Sequence, residues 1–156
     1  LRLAPKDWPI IVMPDHNPFK DVISSEQKIS SVEDIQDNLR KIDATTYLFD
    51  EYLLKNEKNP SHKWITEVKE NFKEKNISLL MGFDSFISID RWINSELILN
   101  SVQTLYIASR LDDEIVKKKQ TQILKGINSS LRVEFIGHHD FEDLSSSKIR
   151  KQNELK

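Results

Sequence analysis

The chain has 156 residues and no cysteine, and its 23 basic residues face 25 acidic ones for a net charge of −2. That length is one domain's worth and supports a real core without disulfides or structural metal. The lack of thiols excludes a disulfide framework, thiolate zinc sites and cysteine nucleophiles, and it fits a reducing compartment, so a cytoplasmic setting is the expectation. Balanced charge supplies no global field for a polyanion, which argues against bulk nucleic-acid binding. The longest apolar runs, residues 10–13 and 77–81, are far too short to cross a membrane, and the opening Leu-Arg-Leu-Ala-Pro-Lys-Asp-Trp has no signal-peptide core. No membrane partner is expected.

In chain order, Pro9-Ile-Ile-Val-Met-Pro14 predicts a short buried strand bracketed by prolines, which fit strand ends but cannot donate to a ladder. The loop over residues 15–25 holds His16, Asn17, Pro18, Phe19 and Lys20. Ser31-Val-Glu-Asp34 is similar to a capping box opening a helix to about Ile42, and the Thr, Tyr, Phe and Leu of residues 45–54 predict a strand. Asn59-Pro60-Ser61 is a turn and helix start. Trp64, Ile65, Val68 and Phe72 then recur at roughly helical spacing, and the helix is expected to run through Lys75. Residues 77–81 form a mostly apolar run of the length of a strand buried on both faces, and Gly82 ends it. Asn94-Ser95 predicts the cap of a short helix over residues 96–100, and residues 104–108 predict another strand. Residues 112–125 predict a helix with Gly126 as its stop, and residues 131–136 a strand ended by Gly137. Ser145 or Ser146 opens a last helix. Strands separated by helices indicate parallel βαβ units. The expected fold is therefore α/β, a doubly wound, mainly parallel sheet with helices on both faces, in a single domain over residues 1–156.

The carboxyl ends of parallel strands are where ligands bind in such a sheet. Gly82 lets the backbone turn sharply or a ligand approach closely, and Asp84, two residues on, either faces a pocket or caps the next helix. Trp92 either stacks on a planar ring or fills the core. Arg110, after the strand that ends at Ala108, belongs to the same edge, or is a surface cation. Leu144-Ser145-Ser146-Ser147-Lys148-Ile149-Arg150 sets three hydroxyls at a helix N-terminus with two cations close by. Free N–H groups, the helix dipole, hydroxyls and cations together suit phosphates, although a serine-capped, solvated helix has the same residues. Cations in a first turn oppose the dipole, so a nearby anion would account for Lys148 and Arg150. The adjacent His138 and His139 point in different directions and have no third partner, so no metal site is expected.

These residues meet a family. Gly82-Phe83-Asp84 followed by Trp92 resembles the Gly-x-Asp…Trp motif of nicotinate and nicotinamide mononucleotide adenylyltransferases. Leu144-Ser-Ser-Ser-Lys-Ile-Arg150 resembles their Ile-Ser-Ser-Thr-x-Ile-Arg signature, in the same order and separation. Ser109-Arg110 looks like the family's arginine after the penultimate core strand. Met13-Pro14 and the Pro18-Phe19-Lys20 loop look like its Val-Pro…Pro-x-Lys segment, and Pro60-Ser61 is similar to the start of its Pro-Ser-Tyr-Thr helix. The resemblance spans roughly Ile10 to Arg150 and implies a Rossmann-like fold. It also implies that Ser145, Ser146, Ser147, Lys148, Arg150 and Arg110 bind the ATP phosphates, and that Gly82, Asp84, Trp92 and Lys20 form the mononucleotide side, Trp92 stacking near the pyridine ring.

The implied reaction is adenylyl transfer from ATP, brought in with Mg2+, to a pyridine mononucleotide in NAD biosynthesis. It proceeds by positioning and electrostatics rather than through a protein nucleophile. His62-Lys63 stand where bacterial members have Tyr-Thr, which leaves acid against amide preference open. None of the 156 residues matches the family's Gly-rich His-x-Gly-His segment, which precedes the first strand seen here, so the resemblance implies that this segment lies upstream of Leu1. Two alternatives remain: a related transferase acting on a pantetheine or flavin phosphate, against which Trp92 and the Ile-Arg ending argue, and a non-catalytic binding domain of the same fold. Nothing in the sequence excludes a homo-oligomer.

Overall fold

The structure, a computed structural model, describes residues 9–13, 37, 46–48, 60–73, 76–108 and 113–137. The chain divides into two compact units, Leu1–Trp64 and Ile65–Lys156. Among the described residues no helix is long and apolar enough to cross a membrane.

In the first unit, Ile10–Val12 (β1) pairs in parallel with Thr46–Leu48 (β2), with Ile11 opposite Tyr47. Parallel neighbours cannot be joined by a tight hairpin, so a crossover connects them. Asp37, within that crossover, is helical, where the capping-box reading places a helix; the rest of the expected helix lies outside the described residues. β1 is half-buried along its length instead of buried.

The junction between the units falls inside helix α1, Ser61–Phe72. The Pro60 carbonyl accepts from the Lys63 N–H at 2.9 Å and opens the helix. Ile65 and Val68, three apart, are its buried residues. The helix ends at Phe72, short of the expected Lys75, because Lys73 takes the left-handed conformation, φ 53°, that commonly closes helices.

The second unit is built on a parallel sheet of Ile77–Gly82 (β3), Val102–Ala108 (β4) and Arg132–Ile136 (β5), in the order β3-β4-β5. Between β3 and β4 lie the short helix Phe83–Phe86 (α2), a 3-10 turn at Ile89–Arg91 and helix Ser95–Ser101 (α3). Helix Glu114–Ile127 (α4) connects β4 to β5. The register puts Leu79, Leu105 and Val133 in one row and Met81, Ile107 and Phe135 in the next, all on one face by the pleat. The opposite face carries Ser78, Thr104 and Arg132, then Leu80, Tyr106 and Glu134.

Both crossovers step in the same direction across the sheet, and right-handed crossovers that step alike fall on the same face. The packing agrees: Phe86 of α2 meets Phe135 edge to face at 5.3 Å, and the Lys117 ammonium of α4 sits 4.9 Å from the Phe135 ring centre. Phe86, Ile89, Ile98, Leu99, Leu105 and Ile107 are fully buried, each contributing about 1.5–3 kcal/mol relative to exposure. The second face is not bare, since Thr104 on it is 3% exposed, but the expectation that residues 77–81 are buried on both faces fails at Leu80. Leu79 is buried, but Leu80, on the opposite face, is 45% exposed.

Helix ends differ from expectation for identifiable reasons. Asp113 caps α4, its Oδ1 accepting from the Ile115 N–H at 2.7 Å. Gly126 does not stop the helix; α4 runs on to Ile127, and Asn128 closes it. The Asn128 Nδ2 donates to the Leu99 carbonyl at 2.8 Å, while its Oδ1 accepts from the Ser130 hydroxyl at 2.7 Å, so the ends of α3 and α4 are joined. The Lys69 ammonium donates to the Ser101 carbonyl at 3.3 Å, supplying a second partner at the end of α3, where helix carbonyls lack intrahelical donors. Asn94 does precede α3, but as a left-handed residue, φ 55°, whose side chain makes no capping bond.

Gly126 is thus an exposed helical glycine, and no atom lies within 4 Å of where a Cβ would stand. Gly126→Ala should raise unfolding stability by about 0.5–1 kcal/mol by limiting the unfolded chain. Urea denaturation checks this; a lower midpoint with an unchanged slope would show that the position is not a relaxed helical one.

Candidate functional site

β3 passes into α2 with no intervening loop. Gly82 is at once the last residue of the strand and the cap of the helix. Its backbone, φ −76° and ψ 162°, is ordinary extended geometry open to any residue, so the turn does not require glycine. This revises one of the two roles expected of Gly82. The other is compatible with the surroundings, because nothing lies within 4 Å of a Cβ placed there. The open position is at the carboxyl end of a parallel strand, the usual ligand edge of α/β sheets.

Asp84 follows in the first turn of α2 and is exposed. It does not cap that helix: the cap is Gly82, without a side-chain bond. A carboxylate in a first turn is favoured by the helix dipole, although a helix of four residues supplies little of it. From there the chain makes two tight turns to Trp92. The Ser88 hydroxyl lies 3.1 Å from both the Asp84 and Ser85 carbonyls, to which it donates, and it accepts from the Trp92 indole N–H at 3.3 Å. One serine therefore ties the ring of Trp92 to the backbone of Asp84. Trp92 is half-buried, leaving part of its ring accessible, and so it is neither a pure core residue nor a free surface one.

The segment is fastened from below as well. Phe86 and Ile89, three residues apart, are both fully buried. Phe86 packs on Phe83 at 5.8 Å and on Phe135 at 5.3 Å. Gln120 of α4, only 7% exposed, donates through Nε2 to the Phe86 carbonyl at 3.1 Å and to the Asp90 carboxylate at 2.7 Å. A side-chain amide has two N–H donors, so both are used.

Of the residues expected to form the site, Gly82, Asp84 and Trp92 are thus brought onto one braced segment. Lys20, Arg110, Ser145, Ser146, Ser147, Lys148 and Arg150 lie outside the described residues, as do His138 and His139. Among the described residues no group of three His, Asp or Glu side chains is placed to hold a metal. Sequence reasoning missed Ser88, Asp90 and Gln120. Ser88 was legible in principle, four residues from both Asp84 and Trp92. Gln120 gave no such signal, since Lys117 and Thr121 beside it at helical spacing are polar too and only its burial sets it apart. An open groove also runs along α4 beside Phe135, lined by Lys117, Lys118, Thr121, Gln122 and Lys125. Glu114 lines it as well and pairs with Lys117 at 2.8 Å, so the groove presents ammonium, amide and hydroxyl groups beside a carboxylate.

Ser88→Ala deletes the acceptor of the Trp92 N–H and the donor to two carbonyls while leaving the packing nearly unchanged. It should cost about 0.5–1.5 kcal/mol, as expected for a typical hydrogen bond. Chemical denaturation measures this, and an unchanged midpoint would mean that the serine bridge does not brace Trp92. Comparison with known proteins adds no name to this geometry: no protein-family model and no curated protein sequence matches the chain.

Proposed function

We propose that the chain is an adenylyltransferase domain that joins ATP to nicotinate or nicotinamide mononucleotide, giving the dinucleotide and pyrophosphate. The observation that carries the reading is the segment from Gly82 to Trp92. It combines an uncrowded glycine at the carboxyl end of β3, a carboxylate in the next turn, and a half-buried indole bound through Ser88 to that turn. Space for a ligand backbone, an anionic group able to accept from hydroxyls, and a partly accessible aromatic face are what a nucleotide with a planar ring needs. The sheet β3-β4-β5 winds in one direction only. In this reading a second half, wound the other way, completes a doubly wound Rossmann-like sheet with helices on its second face.

In the reaction an oxygen of the mononucleotide phosphate attacks the α-phosphorus of ATP, the bond to the bridging oxygen breaks, and pyrophosphate leaves with its negative charge. Mg2+ arrives with ATP and offsets that charge. Trp92 stacks on the pyridine ring, Asp84 and Lys20 fix the mononucleotide, and Ser145, Ser146, Ser147, Lys148, Arg150 and Arg110 hold the phosphates of ATP. In-line alignment of two bound reactants supplies most of what such a transfer requires, and fixed cations supply the rest. The family's paired histidines are not among the 156 residues, so the reading requires them from a segment outside these residues. A cytoplasmic protein without a membrane or nucleic-acid partner fits the same proposal.

The decisive test is pyrophosphate release by the full-length protein with ATP, Mg2+ and each of nicotinate mononucleotide, nicotinamide mononucleotide, phosphopantetheine and flavin mononucleotide. Turnover is expected with a pyridine mononucleotide. Turnover with another acceptor alone favours a related transferase, and none with any of them removes the enzymatic reading. In the same protein Arg150→Ala removes a charge-assisted donor and should weaken ATP binding by roughly 1.5–3 kcal/mol, about tenfold or more. Calorimetry showing unchanged affinity in a folded variant would remove Arg150 from the phosphate site.

A further inference from the structure

Asp84 and Trp92 are separated by elements too short to hold their own geometry: a helix of four residues, a bend and a 3-10 turn of three. Isolated helical turns of this size are unstable in water, because nucleation fixes several dihedrals for one hydrogen bond. The Ser88 bridge is local and holds the two ends to each other, but not to the rest of the fold. What holds the segment to the sheet and helices is a pair of buried apolar side chains and one amide. Phe86 and Ile89 fill the core, and the Gln120 Nε2 reaches from the middle of α4 to the Phe86 carbonyl at 3.1 Å and the Asp90 carboxylate at 2.7 Å. Those two acceptors bracket the bend between α2 and the 3-10 turn. They set where α2 ends, and with it Asp84, and where the 3-10 turn begins, and with it Trp92.

We propose that Gln120 is the positioning residue of the mononucleotide side of the site: it touches no reactant and fixes the spacing of Asp84 and Trp92 by holding both limbs of the bend. This rests on the adenylyl-transfer reading for the identity of the ligand. Gln120 is buried, makes its two bonds across 34 and 30 residues of chain, and lies on a helix already anchored by the Asp113 cap and by buried Leu124. Asp90 contributes as the acceptor on the second limb. Its role there needs an oxygen, not a charge, so an asparagine would serve.

The test compares Gln120→Met, Asp90→Leu and Asp90→Asn in the full-length protein. Gln120→Met keeps the volume and removes both donors; Asp90→Leu removes one acceptor; Asp90→Asn keeps an oxygen at Oδ1. Steady-state kinetics should give a KM for the mononucleotide raised about tenfold in Gln120→Met and Asp90→Leu, the loss expected for a charge-assisted bond, with the KM for ATP changed less than about twofold. Asp90→Asn should stay close to wild type. Amide hydrogen exchange across residues 84–92, measured without ligand, should speed up in the first two variants and not in the third. Equal changes in both KM values, or a lowered thermal midpoint with both KM values unchanged, would show Gln120 to be a core amide with no positioning role and would overturn the proposal. An inactive wild type would instead remove the adenylyl-transfer reading and the mononucleotide role with it. The exchange data would still decide whether the amide holds the bend, and unchanged exchange would overturn that too.

Discussion

The second unit depends on a buried amide that must be satisfied from two directions at once. Gln120 is 7% exposed, and an unpaired amide in such surroundings costs on the order of 1–3 kcal/mol. That cost is avoided only when the Phe86 carbonyl and the Asp90 carboxylate come within reach together. The requirement couples α4 to a segment that precedes it by a strand and a helix. It also explains why a polar residue is buried at this position of α4: leucine would pack there as well, but it would leave the Phe86 carbonyl and the Asp90 carboxylate without that donor. A polar group fixes a single arrangement where an apolar one tolerates several.

The one-directional winding has a related consequence. With both crossovers on the face of Leu79, Leu105 and Phe135, the connections α2, α3 and α4 are thrown together and can brace one another. The Asn128 amide reaches the end of α3, and the Gln120 amide reaches the end of α2. Both bonds terminate on backbone carbonyls at helix ends, where intrahelical donors run out. Side chains of α4 therefore complete the hydrogen bonding of the two short helices before it. The opposite face is mixed: Thr104 is 3% exposed on it, whereas Leu80 is 45% exposed and Arg132 and Glu134 are exposed.

The elements with a strong local signal were legible in the sequence, and the errors have local causes. The apolar run at β3, the alternation at β5 and the helical reading of residues 112–125 all point to elements that form. The expected stop at Gly126 failed because glycine ends a helix only where a left-handed residue is wanted, and here Asn128 closes the helix without positive φ. The expected end at Lys75 failed for the converse reason, since Lys73, a residue with no special liking for that conformation, adopts it. Burial of β3 on both faces failed at Leu80 because a five-residue apolar run does not say which positions of the second face are covered. At the site, Gly82, Asp84 and Trp92 could be singled out from the residues alone. Ser88 could have been added from its spacing, but Gln120 could not, since it is distant in sequence and its partners include a backbone carbonyl that no side-chain pattern reveals.

Gly82 makes the same distinction between what a residue is and what surrounds it. Its dihedrals would suit alanine, and its neighbours leave room for a Cβ, so neither the turn nor the protein's own packing calls for glycine. A glycine in a strand interior costs roughly 0.5–1 kcal/mol relative to alanine, and placement at the very end of the strand lessens that cost without turning it into a gain. A ligand that approaches the carboxyl end of β3 closely enough for a methyl group to interfere is what the proposed adenylyl-transfer reading would add there. Asp84 and Trp92, which follow Gly82 in the chain, are linked to each other through Ser88, and Gln120 holds the bend between them. A segment that is partly exposed yet tied at both limbs to buried groups has the stiffness of the core and the access of a loop. That combination is what recognition of a small ligand needs, because a side chain already held in place loses little freedom when the ligand arrives.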